Sequence, residues 1–276
     1  MTEAQQSNLP WPPPAGPLGE LTAASLVRAG AAASNRAALE RAVAEAPQPA
    51  GFAAALRRDT VQVIAEIKRR SPSKGTINAE IVAAERALLY ADAGAAALSV
   101  LTEPSRFGGS LDDLQSAGRA VSIPLLRKDF IVDEVQLLEA RAYGASAVLL
   151  IARGLAPARF TQLARFAAGI GLELLLEVRS EQELERALAV PAGVIGVNNR
   201  NLETLVIDDE VSARLVPLVP SDRIAVYESG VADRSGVERA AALGADAVLV
   251  GSALSRSADG ARGVAALLGV RRRARG

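Results

Sequence analysis

One phrase recurs along the chain and constrains its fold more than any other feature: AGAAALSVL at 93–101, YGASAVLLI at 143–151 and LGADAVLVG at 243–251. Each copy reads as the end of a helix, a glycine, and then a short apolar strand. Gly94, Gly144 and Gly244 suit the left-handed residue that terminates a helix. They are spaced by about 50 and about 100 residues, multiples of the roughly 25 that one strand–helix step occupies. Further apolar runs lie at Pro124 to Lys128, Leu172 to Val178, Val194 to Asn198 and Ile224 to Glu228. With Val63 to Lys68 at the front, the strands number eight.

The segments between carry helix signals. Ser180 and Glu183 have the spacing of a capping box, and Asn78, Ser110, Asp133 and Asp233 precede amphipathic stretches as N-caps. Strands alternating with helices predict a parallel α/β sheet. At 276 residues, closure into a (β/α)8 TIM barrel is the natural reading, and a doubly wound open sheet is its rival. Residues 1–19 read as a flexible Pro-rich tail. A single barrel domain follows over 20–270, with a helical extension at 20–58 before the first strand. The end, RRRARG at 271–276, reads as a short solvated basic tail rather than a nucleic-acid contact.

Charge and composition narrow the function. Lys plus Arg and Asp plus Glu number 31 each, so no global field draws the chain to nucleic acid or a membrane. No run approaches the ~18 apolar residues of a membrane span, and the N-terminus lacks the basic and apolar regions of a secretory signal. The expectation is a soluble cytoplasmic protein. There is no cysteine and no histidine. Thiol nucleophiles, disulfides, thiolate metal sites and Ser-His-Asp triads are therefore excluded. Proton transfers in such a chain fall to Glu, Asp, Lys, Tyr or water.

The segment VIAEIKRRSPSKG, residues 63–75, puts Glu66 and Lys68 two apart, on one face of a strand otherwise built for a core. A basic loop with Ser71 follows. Other strands end similarly: Lys128 closes PLLRK, Glu177 follows three leucines, Asn198 and Arg200 lie in GVNNRNL, and Glu228 lies in YESGV. In a parallel barrel the C-terminal strand ends meet at the active site. A single charge at a strand end is an ordinary solvated terminus, but such charges on most of the strands predict one convergent pocket. Ser229, Gly230, Gly251 and Ser252 put small residues on the last two strands, where backbone N–H groups of such barrels receive a phosphate.

These blocks, together with LLRKDFIVDEVQLLEARAYGASAVLLIA, LLLEV, ESGV and VGSAL, resemble the indole-3-glycerol-phosphate synthase family over roughly Gly51 to Leu268. The resemblance implies a (β/α)8 barrel with an N-terminal helical extension, acting in tryptophan biosynthesis. It implies a lyase converting 1-(2-carboxyphenylamino)-1-deoxyribulose 5-phosphate to indole-3-glycerol phosphate, CO2 and water, without metal or organic cofactor. By motif, Lys128 resembles the general acid and Glu177 the general base. Lys68 resembles the contact to the substrate carboxylate, and Glu66 the carboxylate that positions the lysines. Asn198, Arg200, Glu228 and Ser229 resemble groups that orient the ribulose portion. Ser71, Gly230, Gly251 and Ser252 resemble the phosphate site, and Phe107 and Phe130 the walls for the anthranilate ring.

The chain departs from the family pattern in Val178-Arg179, where the family often has Val-His, and in Tyr227, which is expected to point away from the barrel centre. Its first helix lacks the family's usual basic character. Phosphoribosylanthranilate isomerases share the final loops but use a cysteine base, which is absent. A non-catalytic phosphosugar sensor would lack Lys128 or Glu177, and both are present. The partner expected is a small phosphorylated substrate, with a monomeric chain and association with other pathway enzymes left open.

Overall fold

The apolar runs do form eight strands, and they close on one another. In the computed structural model, which describes residues 11–191, 193–256 and 260–275, the strands are β1 (Gln62–Ile67), β2 (Ala97–Leu101), β3 (Leu125–Lys128), β4 (Ala147–Ile151), β5 (Glu173–Val178), β6 (Val194–Asn198), β7 (Ile224–Glu228) and β8 (Ala247–Val250). All are parallel. β1 closes the ring, pairing with β2 through Glu66 and Ser99 and with β8 through Ala65 and Val250. The barrel expectation holds, and the open sheet falls.

Both strand faces are buried, which explains the near-continuous apolar runs. On β1, Val63, Ala65 and Ile67 pack outward against the helices, whereas Ile64 joins the barrel interior. Tyr227 packs in the outer layer, as expected. Gly94, Gly144 and Gly244 have φ of 97°, 91° and 87°, the left-handed conformation that glycine adopts without a Cβ penalty. Ser110, Asp133, Ser180 and Asp233 each accept a hydrogen bond from an N–H of the first helical turn. Asn78 differs. Its Oδ1 accepts from the Glu80 N–H at 3.0 Å in a local turn, and the helix Ala83–Asp92 begins later. A short polar side chain that closes its own turn competes with the helix it was expected to start. The basic loop also forms a small antiparallel hairpin, Arg70–Ser71 with Gly75–Thr76.

The extension has three helices, α1 (Gly16–Ala32), α2 (Arg36–Glu45) and α3 (Phe52–Leu56). α3 plugs the N-terminal end of the barrel. Phe52 and Leu56 are fully buried among Ile64, Leu175 and Ile224. The Glu173 carboxylate, at the start of β5, accepts from the Phe52 and Ala53 N–H groups at 2.7 and 2.9 Å. It thereby caps a helix that has no cap of its own. α1 contributes Leu18 and Leu21 to the same interior core. It starts at Gly16, inside the segment read as a tail, and Trp11 before it donates its Nε1–H to the Arg153 carbonyl at 3.3 Å. Residues 1–10 lie outside the described residues. No described helix is long and apolar enough to cross a membrane.

The basic end is only in part a solvated tail: Arg271 and Arg273 are exposed, but the segment is tied to the barrel. Arg271 bridges to Thr60, and the Arg275 side chain is 2% exposed, paired with Asp246 at 2.8 Å. Arg275 also donates to the carbonyls of Val219, Gly244 and Arg223. A guanidinium satisfies several buried carbonyls at once, which a count of charges along the chain does not reveal. Arg275→Ala is expected to lower the unfolding free energy by about 2 kcal/mol, because among the described residues it leaves Arg272 alone as a cationic partner of the buried Asp246. Chemical denaturation measures this, and an unchanged midpoint would contradict a stabilising role for the Arg275 contacts.

Candidate active site

At the C-terminal ends of the strands lies a cavity of about 290 Å³. Its wall includes Glu66, Lys68, Ser71, Phe107, Lys128, Phe130, Glu177, Asn198, Arg200, Glu228, Ser229, Gly230, Gly251 and Ser252. The period-2 alternation puts them there. On β1 and β5 the inward positions are apolar at the bottom and carry Glu66, Lys68 and Glu177 towards the mouth.

The charged groups form two units. The Lys68 ammonium donates to Glu66 Oε1. The Lys128 ammonium donates to Glu228 Oε2 at 2.5 Å and to Glu177 Oε2 at 3.4 Å. Glu66, Glu177 and Glu228 are all buried. Burial by itself lowers the Lys128 pKa, but the attraction of Glu228, Glu177 and Glu66 outweighs it and holds the ammonium above the ordinary lysine value. Burial pushes the Glu228 carboxyl up to about 7. Attraction to Lys128 opposes that shift, and repulsion from Glu177 adds to it.

Two glycines make room for these carboxylates. A Cβ at Gly196, on the neighbouring strand, would stand 2.1 Å from Glu228 Oε1. A Cβ at Gly251 would stand 2.1 Å from Glu66 Oε1 and 2.8 Å from the Lys68 Nζ. The missing side chain of Gly251 is thus filled first by the Glu66–Lys68 pair. Gly196 carries no signal in the sequence, because its role depends on a side chain of the next strand, Glu228.

Around the rim, Asn198 Oδ1 accepts from the Ser229 hydroxyl at 2.8 Å and from the Arg200 N–H at 2.9 Å. Ser229 has φ of 64° and Gly230 of 92°. A left-handed non-glycine residue costs about 1–3 kcal/mol and persists only where its surroundings impose it. Here the Asn199 side chain also donates to the Ser229 carbonyl at 3.2 Å. The Ser71 hydroxyl is buried with no hydrogen-bond partner among the described residues, and Ser71 lines the cavity, which marks a donor available there.

The basic loop divides. Arg69 turns away from the cavity, bound to Asp113 at 2.7 and 2.8 Å and to the carbonyls of Ile81 and Gly108. Lys74 and Arg256, the latter on the helix after β8 (Ser252–Arg256), are exposed at the mouth and line the same cavity. Burial, and then repulsion from Arg256, Arg200 and Lys68, lowers the Lys74 pKa. A crowd of like charges at one end of a cavity fits a multiply charged anion. Lys74 lay in the quoted motif and Arg256 did not. Neither was singled out, because a cation's partner is chosen by the fold. Phe107 and Phe130 pack together in the cavity wall, tilted by 40° with centroids 6.3 Å apart, and Pro17 and Leu21 of α1 line the cavity with them.

The Glu228 carboxyl is expected to titrate near pH 7, followed by carboxyl 13C resonances of glutamate-labelled protein. In Lys128→Met its midpoint moves higher still, since removing the ammonium removes the attraction that favours the charged form. A midpoint near the ordinary carboxylate value would contradict the geometry described.

Comparison with known proteins bears on this arrangement. A family model described as "Indole-3-glycerol phosphate synthase" matches residues 22–267. Proteins of that name from Parafrankia sp. and Nocardioides sp. are each 48% identical to the chain, over 246 and 238 residues. The matches cover 88% and 86% of this chain and 92% of each relative. Among solved structures, a mutant tryptophan synthase α-subunit from Pyrococcus furiosus superposes with a TM-score of 0.58. It covers 76% of this chain and 98% of its own, at 17% identity, a likeness of fold alone. The match across the barrel and the high identity over nearly the whole chain settle its kinship: the chain belongs to the indole-3-glycerol phosphate synthase family.

Proposed function

We propose that the chain closes an indole ring, converting 1-(2-carboxyphenylamino)-1-deoxyribulose 5-phosphate to indole-3-glycerol phosphate, CO2 and water, as a cytoplasmic monomer. One observation carries the assignment of roles. A protonated lysine, Lys128, stands between two carboxylates at the end of β3, in a cavity that cations and two aromatic rings also line.

The slot of Phe107, Phe130 and Leu21 receives the aryl ring, and Ser71, Lys74, Gly230, Gly251, Ser252 and Arg256 receive the phosphate. That places the ribulose carbonyl near Lys128. As the ring carbon bearing the carboxylate attacks, the carbonyl oxygen becomes an alkoxide. An alkoxide is a stronger base than the amine of even a strongly held lysine, so Lys128 gives up its proton. Lys68 holds the substrate carboxylate until it departs as CO2, and Glu66 keeps Lys68 in place. In the last step Glu177 takes a proton from the carbon next to nitrogen while Lys68 protonates the leaving hydroxyl. Water departs, and the ring becomes aromatic. Glu228, Asn198 and Arg200 orient these groups.

Indole fluorescence on adding the substrate tests the reaction itself. Lys128→Met keeps the apolar stem and removes the proton. It is expected to lower kcat by at least about 10²-fold with little change in affinity, since the donated proton acts mainly in the transition state. Normal turnover would move the acid elsewhere, and wild-type protein that binds substrate without forming indole would make the chain a phosphosugar binder.

Gly196→Ala makes a finer test. The added methyl displaces the Glu228 carboxylate from Lys128 without touching the substrate. A fall in kcat of about tenfold or more is expected, from misplacement of the acid. A wild-type kcat would show that Glu228 does not orient Lys128.

A further inference from the structure

A buried polar cluster lies where α1 crosses the ends of β2 and β3, and the proposed chemistry makes no use of it. Its carboxylates are Glu103 and Asp129, both buried. Glu103 accepts from the N–H groups of Ser105, Arg106 and Phe107 at 2.9, 2.7 and 3.1 Å, and so holds the turn Pro104–Phe107. Asp129 accepts from the Phe130 N–H at 2.8 Å, the Thr102 hydroxyl at 2.7 Å and Arg127 Nη2 at 3.1 Å. One carboxylate therefore fixes the backbone of Phe107, and the other that of Phe130. Arg28 reaches from α1 to both, with Nη2 2.7 Å from Asp129 Oδ1 and Nη1 3.5 Å from Glu103 Oε1. One turn before it, Ser25 donates to the Phe130 carbonyl and accepts from Gln136 Nε2 at 2.8 Å.

We infer that Arg28 is a positioning residue: its guanidinium clamps Glu103 to Asp129 and so sets the separation of Phe107 and Phe130, the width of the slot for the substrate's aryl ring. A guanidinium is a planar fork whose two terminal nitrogens lie at a fixed spacing, so it acts as a rigid spacer between two carboxylates. Without it, two buried like charges repel. Arg127 still holds Asp129, so the displacement falls on Glu103 and the turn bearing Phe107. The apolar half of the same helix face, Leu18 and Leu21, packs against the barrel interior. The clamp thereby couples the docking of α1 to the shape of the slot. The inference rests on the reading of the cavity as a ring-closing site, which supplies the aryl group.

Arg28→Met is tested by steady-state kinetics with the carboxyphenylamino-deoxyribulose phosphate, and by competition with anthranilate and with glycerol 3-phosphate. KM and the anthranilate inhibition constant are expected to rise about tenfold, while kcat stays within about threefold. The glycerol 3-phosphate constant stays unchanged, because the phosphate end does not depend on the clamp. Arg28→Lys keeps the charge and helix propensity, but one ammonium reaches a single carboxylate. Its KM should fall between wild type and Arg28→Met, and it carries the test alone if the methionine variant does not fold. Active wild-type protein with a wild-type KM in both variants overturns the clamp alone. Equal weakening of both inhibitors also overturns it, pointing to general loosening of the fold. Wild-type protein that forms no indole overturns the functional reading and the clamp with it.

Discussion

The ammonium of Lys128 sits inside a closed barrel with Glu228 and Glu177 against it and Glu66 nearby. Placing four ionisable groups in a low-dielectric interior is unfavourable unless each finds a counter-charge and a hydrogen bond. The compensation here is incomplete. Burial holds the Glu228 carboxyl above its ordinary value despite the attraction of Lys128, so part of the cost of its charge is left uncompensated. The surrounding structure absorbs that cost: a ring of apolar strands below, and Gly196 and Gly251 vacating the volume that the carboxylates occupy. What is unfavourable for stability holds an acid, a base and a second lysine within one small volume before any substrate arrives.

Each element of the barrel can be read as support for that arrangement. α3 seals the far end of the barrel with Phe52 and Leu56. The strained backbone at Ser229 aims the loop after β7 back at Asn198 rather than outward. Arg69, despite lying in the loop most suggestive of substrate binding, spends its five donors on Asp113 and backbone carbonyls. It fixes the loop that presents Ser71 and Lys74. A cation that anchors a loop and one that binds an anion look alike in a sequence. They are separated by where the nearest carboxylate lies.

The helical extension joins the two functions of the mouth. Leu18 and Leu21 bury apolar surface against the barrel, and Arg28 and Ser25 make charged and polar contacts to the strand end that bears Lys128. The separation of apolar and polar contacts along one helix face fixes both its axial position and its rotation. A helix held only by leucines would be free to slide.

The barrel and its polar face were legible in the sequence because both depend on local rules. Strand burial on both faces yields continuous apolar runs. Gly94, Gly144 and Gly244 end their helices in a left-handed turn, and side chains alternate every two residues, so Glu66 and Lys68 necessarily share a face. The same locality let Ser110, Asp133, Ser180 and Asp233 be found as caps, and it misled at Asn78, where a local turn won. Tertiary structure alone decided the rest. Arg28 meets Asp129 across 101 residues and Lys128 meets Glu228 across 100. Gly196 and Gly251 are required only by carboxylates on neighbouring strands, and Arg275 is buried by carbonyls of chain segments far from it. A charge in a sequence has a sign and a reach, but its partner is chosen by which distant backbone the closed barrel brings within hydrogen-bonding distance.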